Sequence, residues 1–339
     1  MPTLRSVRRP IFIPVQLPPL LECVPNVSEG RDLATIEALT AAITSVPNTT
    51  LLHRDIGYDA NRTVFTFVGS PESVCLSAKR LARACVERID LTAYSGTHPY
   101  IGALDVCPFV PLWGLSPKHA TAAALELAEF CASELTVPVY LYEHSATRPR
   151  YRSLAQVRKG GLRAVRQREA PLGPDFGEGA HPTAGASVIG ARDILVAFNI
   201  NLSGDSAGPK LASKIAAYIR STNKATGLPK IRAIGWQQPA LGRSQVSVNL
   251  LDYNTTGLAE VYQEVDRLAK AANSHAAGSE LIGLLPLDAL AAAGRHYLPS
   301  SSNPHELANV AAQRLGLDSL RPWDAEVRVL EYIVQRALG

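Results

Sequence analysis

No apolar run in this 339-residue chain approaches the roughly 18 residues needed to cross a bilayer. The chain therefore offers no candidate membrane helix, and no membrane partner is expected. Cysteine is scarce and poorly spaced for bridging. Cys23, Cys75, Cys85, Cys107 and Cys131 are odd in number, lie in the first half and include no Cys-x-x-Cys pair. Such a set fits neither a disulfide framework nor a zinc site, and reads as reduced, buried thiols in a cytoplasmic protein. No Walker-type loop, dinucleotide fingerprint or metal-ligand cluster occurs, so no metal is expected. The Asn-x-Ser/Thr triplets, Asn48-Thr49-Thr50 among them, carry no weight without a signal peptide. Excess charge is also lacking. A net +4 is too small to imply nucleic acid, although it suits an enzyme that handles anions.

Acidic residues are missing from two stretches. Within residues 1–20, Arg5, Arg8 and Arg9 are unopposed, and Pro2, Pro10, Pro14, Pro18 and Pro19 prevent a regular helix. A mitochondrial transit peptide would be amphipathic as well as Arg-rich, so residues 1–19 read as a disordered leader. Residues 148–168 carry Arg148, Arg150, Arg152, Arg158, Lys159, Arg163, Arg166 and Arg168 without one acid. Leu154, Val157, Leu162 and Val165 can form a buried stripe beneath a solvated basic face. The alternative is an electropositive rim that attracts an anion.

What is present is a folded α/β pattern. Hydrophobic residues at 46% and charged residues at 19% describe a globular chain, and the length suggests about two domains. Strands are expected at 20–24, 49–55, 63–68, 103–107 and 138–142, the fourth stopped by its prolines. Helices between them start at Arg31 or Asp32, at Ser70-Pro71 and at Ser116-Pro117. Residues 170–185, rich in Gly and Pro, read as a linker. Beyond it, strands are expected at 194–202, 231–237, 245–253 and 280–286. Helices follow at 208–219, 256–272, from Leu287, at 304–315 and at 323–338. Both halves repeat a strand–helix–strand–strand–helix theme. The expectation is an α/β (α+β layered) protein of two successive subdomains, residues 20–182 and 183–339. Each would be a mixed sheet covered by helices, with a cleft between them.

The stretch from Tyr94 to Leu112 is the most informative. Ser95-Gly96 make a turn, His98 stands before Pro99 on extended backbone, and Ala103-Leu104-Asp105-Val106-Cys107 reads as a buried strand. An imidazole at the mouth of such a strand can act as a general base, or can be an ordinary loop histidine. This stretch resembles the glutamate formiminotransferase family. So do Glu22-Cys23-Val24-Pro25-Asn26-Val27-Ser28-Glu29-Gly30, Asn61-Arg62-Thr63-Val64-Phe65-Thr66-Phe67-Val68-Gly69, Pro174-Asp175-Phe176-Gly177 and Ala197-Phe198-Asn199-Ile200-Asn201-Leu202. The resemblance runs in order from about Leu21 to the C-terminus.

The resemblance implies transfer of a formimino group from N-formimino-L-glutamate to tetrahydrofolate, which is a co-substrate. It implies His98 as the catalytic acid/base and Asp55 as an active-site carboxylate. It also implies a folate-binding stretch at Gly177, Glu178, Gly179, Ala180, His181, Pro182, Thr183, Ala184 and Gly185, with Ala184 standing where the family has tryptophan. A carboxylate near His98 would fix its tautomer, whereas the residue alone also reads as a turn aspartate. Arg62 and Arg192 are candidates for a carboxylate clamp, or for structural ion pairs. The expected partners are folate and glutamate-derived small molecules, a second copy in a homodimer, and a separate cyclodeaminase acting on the product. A formyl donor in place of formimino, and a folate-binding protein without turnover, remain open alternatives.

Overall fold

A computed structural model of the protein describes residues 17–96, 99–239 and 242–338. Most of the expected leader, together with Thr97 and His98, lies outside the described residues. The described chain forms two compact units that divide between Ile194 and Leu195.

The first unit contains β1 (Leu21–Cys23), β2 (Asn26–Val27), α1 (Leu33–Thr44), β3 (Thr49–Gly57), β4 (Arg62–Gly69), α2 (Pro71–Arg88) and β5 (Leu104–Pro111). It continues through α3 (Pro117–Glu134), β6 (Val139–Leu141), α4 (Leu154–Val157), α5 (Gly161–Val165) and β7 (Ser187–Ala191). Local chemistry starts the long helices. Asp32 accepts the Ala34 amide, Ser70 accepts the Ser73 amide with Pro71 in the first turn, and Ser116 donates its amide to His119 Nδ1.

In the sheet, β3 pairs β4, β4 and β5 flank β1 and β2 in turn, and β7 and β6 extend β5 in parallel. The strand expected to stop at the prolines runs on to Pro111. Pro108 lies where β1 gives way to β2, and its carbonyl takes the Val24 amide at 3.1 Å. The missing N–H thus falls at a break in the ladder.

One face of this sheet packs on α1, α2 and α3 through Phe65, Phe67, Phe109, Ile36, Leu39 and Leu81. All five thiols are unbridged and buried, with Cys23 and Cys107 Sγ 3.5 Å apart. Burial pushes the Cys75 thiol up to about 12, which removes it as a nucleophile. The opposite face of β5, β7 and β6 is covered by residues 148–168. Tyr151, Val157 and Val165 pack there on Val106, Tyr140, Tyr142 and Val188. The basic run is therefore two short helices over a second small core. Arg148, Arg158 and Arg168 turn back into the fold, so the solvated face expected of the whole run holds only for residues such as Arg163 and Arg166.

The expected break at 182/183 moves. Residues 170–185 belong to the first unit: Asp175 and Phe176 pair with Val139, Gly185 bridges to Gly102, and β7 lies inside the sheet. Gly and Pro here mark turns between paired segments rather than a linker.

The second unit contains β8 (Val196–Gly204), α6 (Pro209–Ile219), β9 (Ile231–Gln238), β10 (Arg243–Leu250), α7 (Leu258–Lys270) and β11 (Ser274–Ile282). Three further helices follow: α8 (Leu287–Tyr297), α9 (Pro304–Leu315) and α10 (Leu330–Leu338). Its sheet, ordered β11-β8-β10-β9, is antiparallel throughout rather than mixed. The order β5-(β1,β2)-β4-β3 in the first unit is the same arrangement. Each unit is thus a split β-α-β-β-α-β fold, and the first adds β6 and β7. The helix expected at 323–338 is a 3-10 turn at Ala325–Val327, a bridge of Val329 to Leu285, and then α10.

Glu331 at the start of α10 accepts the Leu287 amide at the start of α8, 2.8 Å away. Burial pushes its carboxyl from 4.5 up to about 7, with Asp288 adding to the rise. A raised carboxyl pKa means the fold favours the protonated form. The stability this contributes is present below the ordinary value and is lost as pH rises through about 7. Glu331→Gln keeps an acceptor for Leu287 and removes the charge. Its stability relative to wild type should grow by up to about 3 kcal/mol between acid and neutral pH. Urea unfolding at pH 5 and pH 8 checks this, and a pH-independent difference would contradict it.

Candidate active site

The register of the first sheet places the candidate residues. Asp55 faces Val64, Val64 faces Asn26, Asn26 faces Val106, and Val106 faces Val188. Directly opposed residues share a face. Arg54, the neighbour of Asp55, points the other way, to Glu37 and Thr40 of α1. Asp55 therefore stands on the face away from α1–α3, with 7% of its surface exposed. His53 lies on the same face, its Nε2 3.7 Å from Asp55 Oδ2. Arg62, two residues from Val64 along β4, also shares this face.

Beside them lies a buried charge cluster. Arg62 Nη1 donates to Asp105 Oδ2 at 2.7 Å, and its Nε and Nη2 donate to Asn26 Oδ1 at 3.0 and 2.8 Å. Arg158 Nη2 donates to the same Asp105 oxygen. Asp105 Oδ1 takes the Ile101 amide at 2.8 Å, and the residue is fully buried. Burial lowers the Arg62 guanidinium to about 10, with repulsion from Arg158 next, against the stabilising Asp105. It remains charged at neutral pH. Burial also raises the Tyr94 phenol to about 12.

Five segments lock this site together. Ser28 Oγ donates to the Gly102 carbonyl at 2.7 Å. The Gly30 amide meets Asn61 Oδ1 at 2.9 Å, and Thr63 Oγ1 donates to the Glu29 carbonyl at 2.6 Å. Glu29 itself takes the amides of Gly30, Arg31 and Asp32 ahead of α1. Asn61 Nδ2 holds the Ser95 carbonyl at 3.0 Å, and Tyr94 Oη donates to the Asn61 carbonyl at 2.6 Å while its ring packs edge-on to Tyr100. A Cβ on Gly30 would meet the Arg62 amide nitrogen at 2.5 Å, and one on Gly102 the Ala186 carbonyl at 2.0 Å. Only glycine permits these approaches.

His98 lies outside the described residues, but described residues on either side of it are tied to this cluster. Ser95 is held by Asn61, and Ile101 by Asp105. The expected folate stretch divides in two. Gly177, Glu178 and Gly179 are exposed, and both glycines adopt positive φ. Residues 181–185 form a closed turn, in which the main chains of His181 and Gly185 exchange hydrogen bonds. His181 Nδ1 accepts the Ala184 amide at 3.0 Å and the Thr183 amide at 3.3 Å, which commits the neutral ring to its Nε2–H tautomer. Pro182 is exposed, Thr183 gives its carbonyl to the Leu91 amide, and Ala180 packs against the second small core. Ala184 is buried among Ala82, Val86, Leu104 and Val137. A side chain at that position bears on core packing and offers no face for ring stacking. Arg192, the other clamp candidate, donates to the Asp193 carbonyl and does not join the Arg62 cluster.

Arg158 and Asn26 were not singled out for the site by sequence. The available signal was Asp105, a lone carboxylate in an apolar strand, which demands cationic partners when buried.

The sheet face and its cluster define an α/β protein with a buried ion-pair cluster of two arginines and one carboxylate beside Asp55. The chain belongs to the formiminotransferase family. Residues 20–192 match the formiminotransferase domain, N-terminal subdomain, and residues 197–335 match the formiminotransferase domain. These limits bracket the division at Ile194. The chain is 40% identical over 324 residues to the formimidoyltransferase-cyclodeaminase of Mus musculus, covering 93% of this chain and 60% of that protein. It thus spans about 60% of the length of such relatives. It is also 38% identical over 282 residues to the glutamate formimidoyltransferase of Streptococcus pyogenes serotype M1, covering 82% of this chain and 93% of that one. For the glutamate formimidoyltransferase of Thermoplasma acidophilum the identity is 36% over 283 residues, with 82% and 92% covered.

Proposed function

We propose that the protein transfers the formimino group of N-formimino-L-glutamate to N5 of tetrahydrofolate, releasing L-glutamate. The observation that carries this reading is the buried Arg62–Asp105–Arg158 cluster beside Asp55, tied to Ile101 in a chain of this family. In the reaction N5 attacks the formimino carbon, a proton leaves N5, the carbon–nitrogen bond to glutamate breaks, and the departing nitrogen gains a proton. One acid/base serves both transfers, and His98 is assigned that role. Asp55 orients and stabilises the imidazolium. Glu178 and the flanking Gly177 and Gly179 offer exposed backbone to the pterin, and the closed 181–185 turn ends the stretch. The remaining contribution is to hold two substrates in register.

The test is a purified-protein assay with tetrahydrofolate and either N-formimino- or N-formyl-L-glutamate. Formation of 5-formiminotetrahydrofolate with stoichiometric glutamate is the expected result. Turnover with the formyl donor alone would move the reading to formyl transfer. Binding of folate without turnover of either donor would overturn it.

A further inference from the structure

Asn61 closes the turn between β3 and β4, and each of its polar groups is in use. Its amide donates to the Tyr58 carbonyl at 3.1 Å, and its carbonyl takes the Tyr94 hydroxyl at 2.6 Å. In the side chain, Oδ1 accepts the Gly30 amide at 2.9 Å and Nδ2 donates to the Ser95 carbonyl at 3.0 Å. One residue thus joins the turn, the approach to α1 and the segment leading to His98, which follows Ser95 by three positions. Its backbone is held at φ +49°, in the left-handed region that residues other than glycine seldom adopt. Such a conformation persists where neighbouring contacts over-determine it, and it clusters at functional sites. The segment 94–96 is pressed onto the same turn. A Cβ on Gly96 would lie 2.6 Å from the Ala60 carbonyl oxygen and 3.1 Å from Asn61 Cβ. Arg31 adds an outer tie, with Nη1 on Ser95 Oγ and Nε on the Tyr58 carbonyl, both at 3.2 Å. The turn also connects the strand of Asp55 to the strand of Arg62. Asn61 itself is buried, so its role is internal.

We propose that Asn61 is a positioning residue for the group transfer, fixing the chain that leads to His98 against the hairpin that carries Asp55. It touches no substrate and acts through Ser95 and Tyr94. The inference rests on the formimino-transfer reading for the roles of His98 and Asp55. A residue needed only to form the turn would require nothing but left-handed backbone, which glycine adopts more readily than asparagine. The side chain matters only if its ties to Gly30 and Ser95 matter.

Asn61→Gly keeps the turn, leaves His53, Asp55, Arg62, Asp105 and Arg158 in place, and removes the two side-chain ties. Asn61→Asp keeps an acceptor for the Gly30 amide and loses the donor to Ser95. Circular dichroism and thermal unfolding establish that each is folded, and Asn61→Asp remains informative if Asn61→Gly is not. In either variant kcat should fall about 10- to 100-fold, with KM for both substrates and tetrahydrofolate affinity within a few-fold of wild type. Wild-type kcat in a folded variant would reduce Asn61 to a turn former and overturn the proposal. A loss confined to KM would overturn it too, because Asn61 would then serve substrate binding. Titration of the His98 ring by proton NMR, its resonance identified by its absence in His98→Ala, needs no turnover. The ring should titrate at lower pH in Asn61→Gly than in wild type, since a carboxylate out of register stabilises the imidazolium less. Asp55→Asn is the control and should lower the midpoint as well. If both variants lower it, the positioning role stands even should the protein turn over no formimino donor. If Asp55→Asn lowers it and Asn61→Gly does not, the proposal falls and the Asp55 assignment survives. If neither lowers it, both fall.

Discussion

Replacing His98 with alanine is expected to lower kcat by about two to four powers of ten while leaving folate binding within a few-fold. The reaction needs a proton removed from N5 and one returned to the departing glutamate nitrogen, and a single imidazole does both. An amide cannot shuttle a proton, so His98→Gln should recover little of the rate. The wild-type rate should fall as acid protonates the imidazole, and that acid limb should vanish in His98→Ala. Asp55→Asn should act through the same ring, with a smaller loss of kcat. Steady-state kinetics on folded variants decide the matter. Near-normal kcat in His98→Ala would sink the assignment. His53 would then be the next base to test, because it stands on the same strand face as Asp55 at 3.7 Å. His181 would not, since its Nδ1 already accepts two amides of its own turn.

Asp105→Asn should cost the fold about 3–5 kcal/mol, because it removes the carboxylate that two largely buried guanidiniums share. The loss should exceed that for an exposed pair such as Lys79–Glu126 by several-fold. The asparagine also weakens the hold on Ile101, so activity should fall even where the variant remains folded. Adding Arg158→Met should restore part of the stability, since it removes one of the two cations that share the Asp105 carboxylate. Urea unfolding of the single and double variants measures this. A single variant as stable as wild type would show that the cluster contributes no net electrostatic stabilisation.

Local chemistry determined much of this protein. The caps at Asp32, Ser70 and Ser116 are set by residues within three positions, so the helices they open begin where the sequence places them. The strands of the β3–β4 hairpin were legible for the same reason, since alternation and β-branching are local signals. The family motifs pointed to Asp55 and to the neighbourhood of His98, although pattern alone left both as loop or turn residues.

Only the tertiary structure decided the rest. Pro108 continues a strand because a partner strand breaks opposite it, which no window around residue 108 reveals. Ser187–Ala191 is too short to announce itself, and becomes a strand because β5 and β6 lie on either side. Residues 170–185 look like a linker until Val139 and Gly102 pair with them. Arg158, one basic residue among eight between positions 148 and 168, is selected by a carboxylate 53 residues earlier in the chain. The physical reason is common to all four. A backbone group or charge that leaves water takes whatever partner the fold brings to it, and that partner is nonlocal.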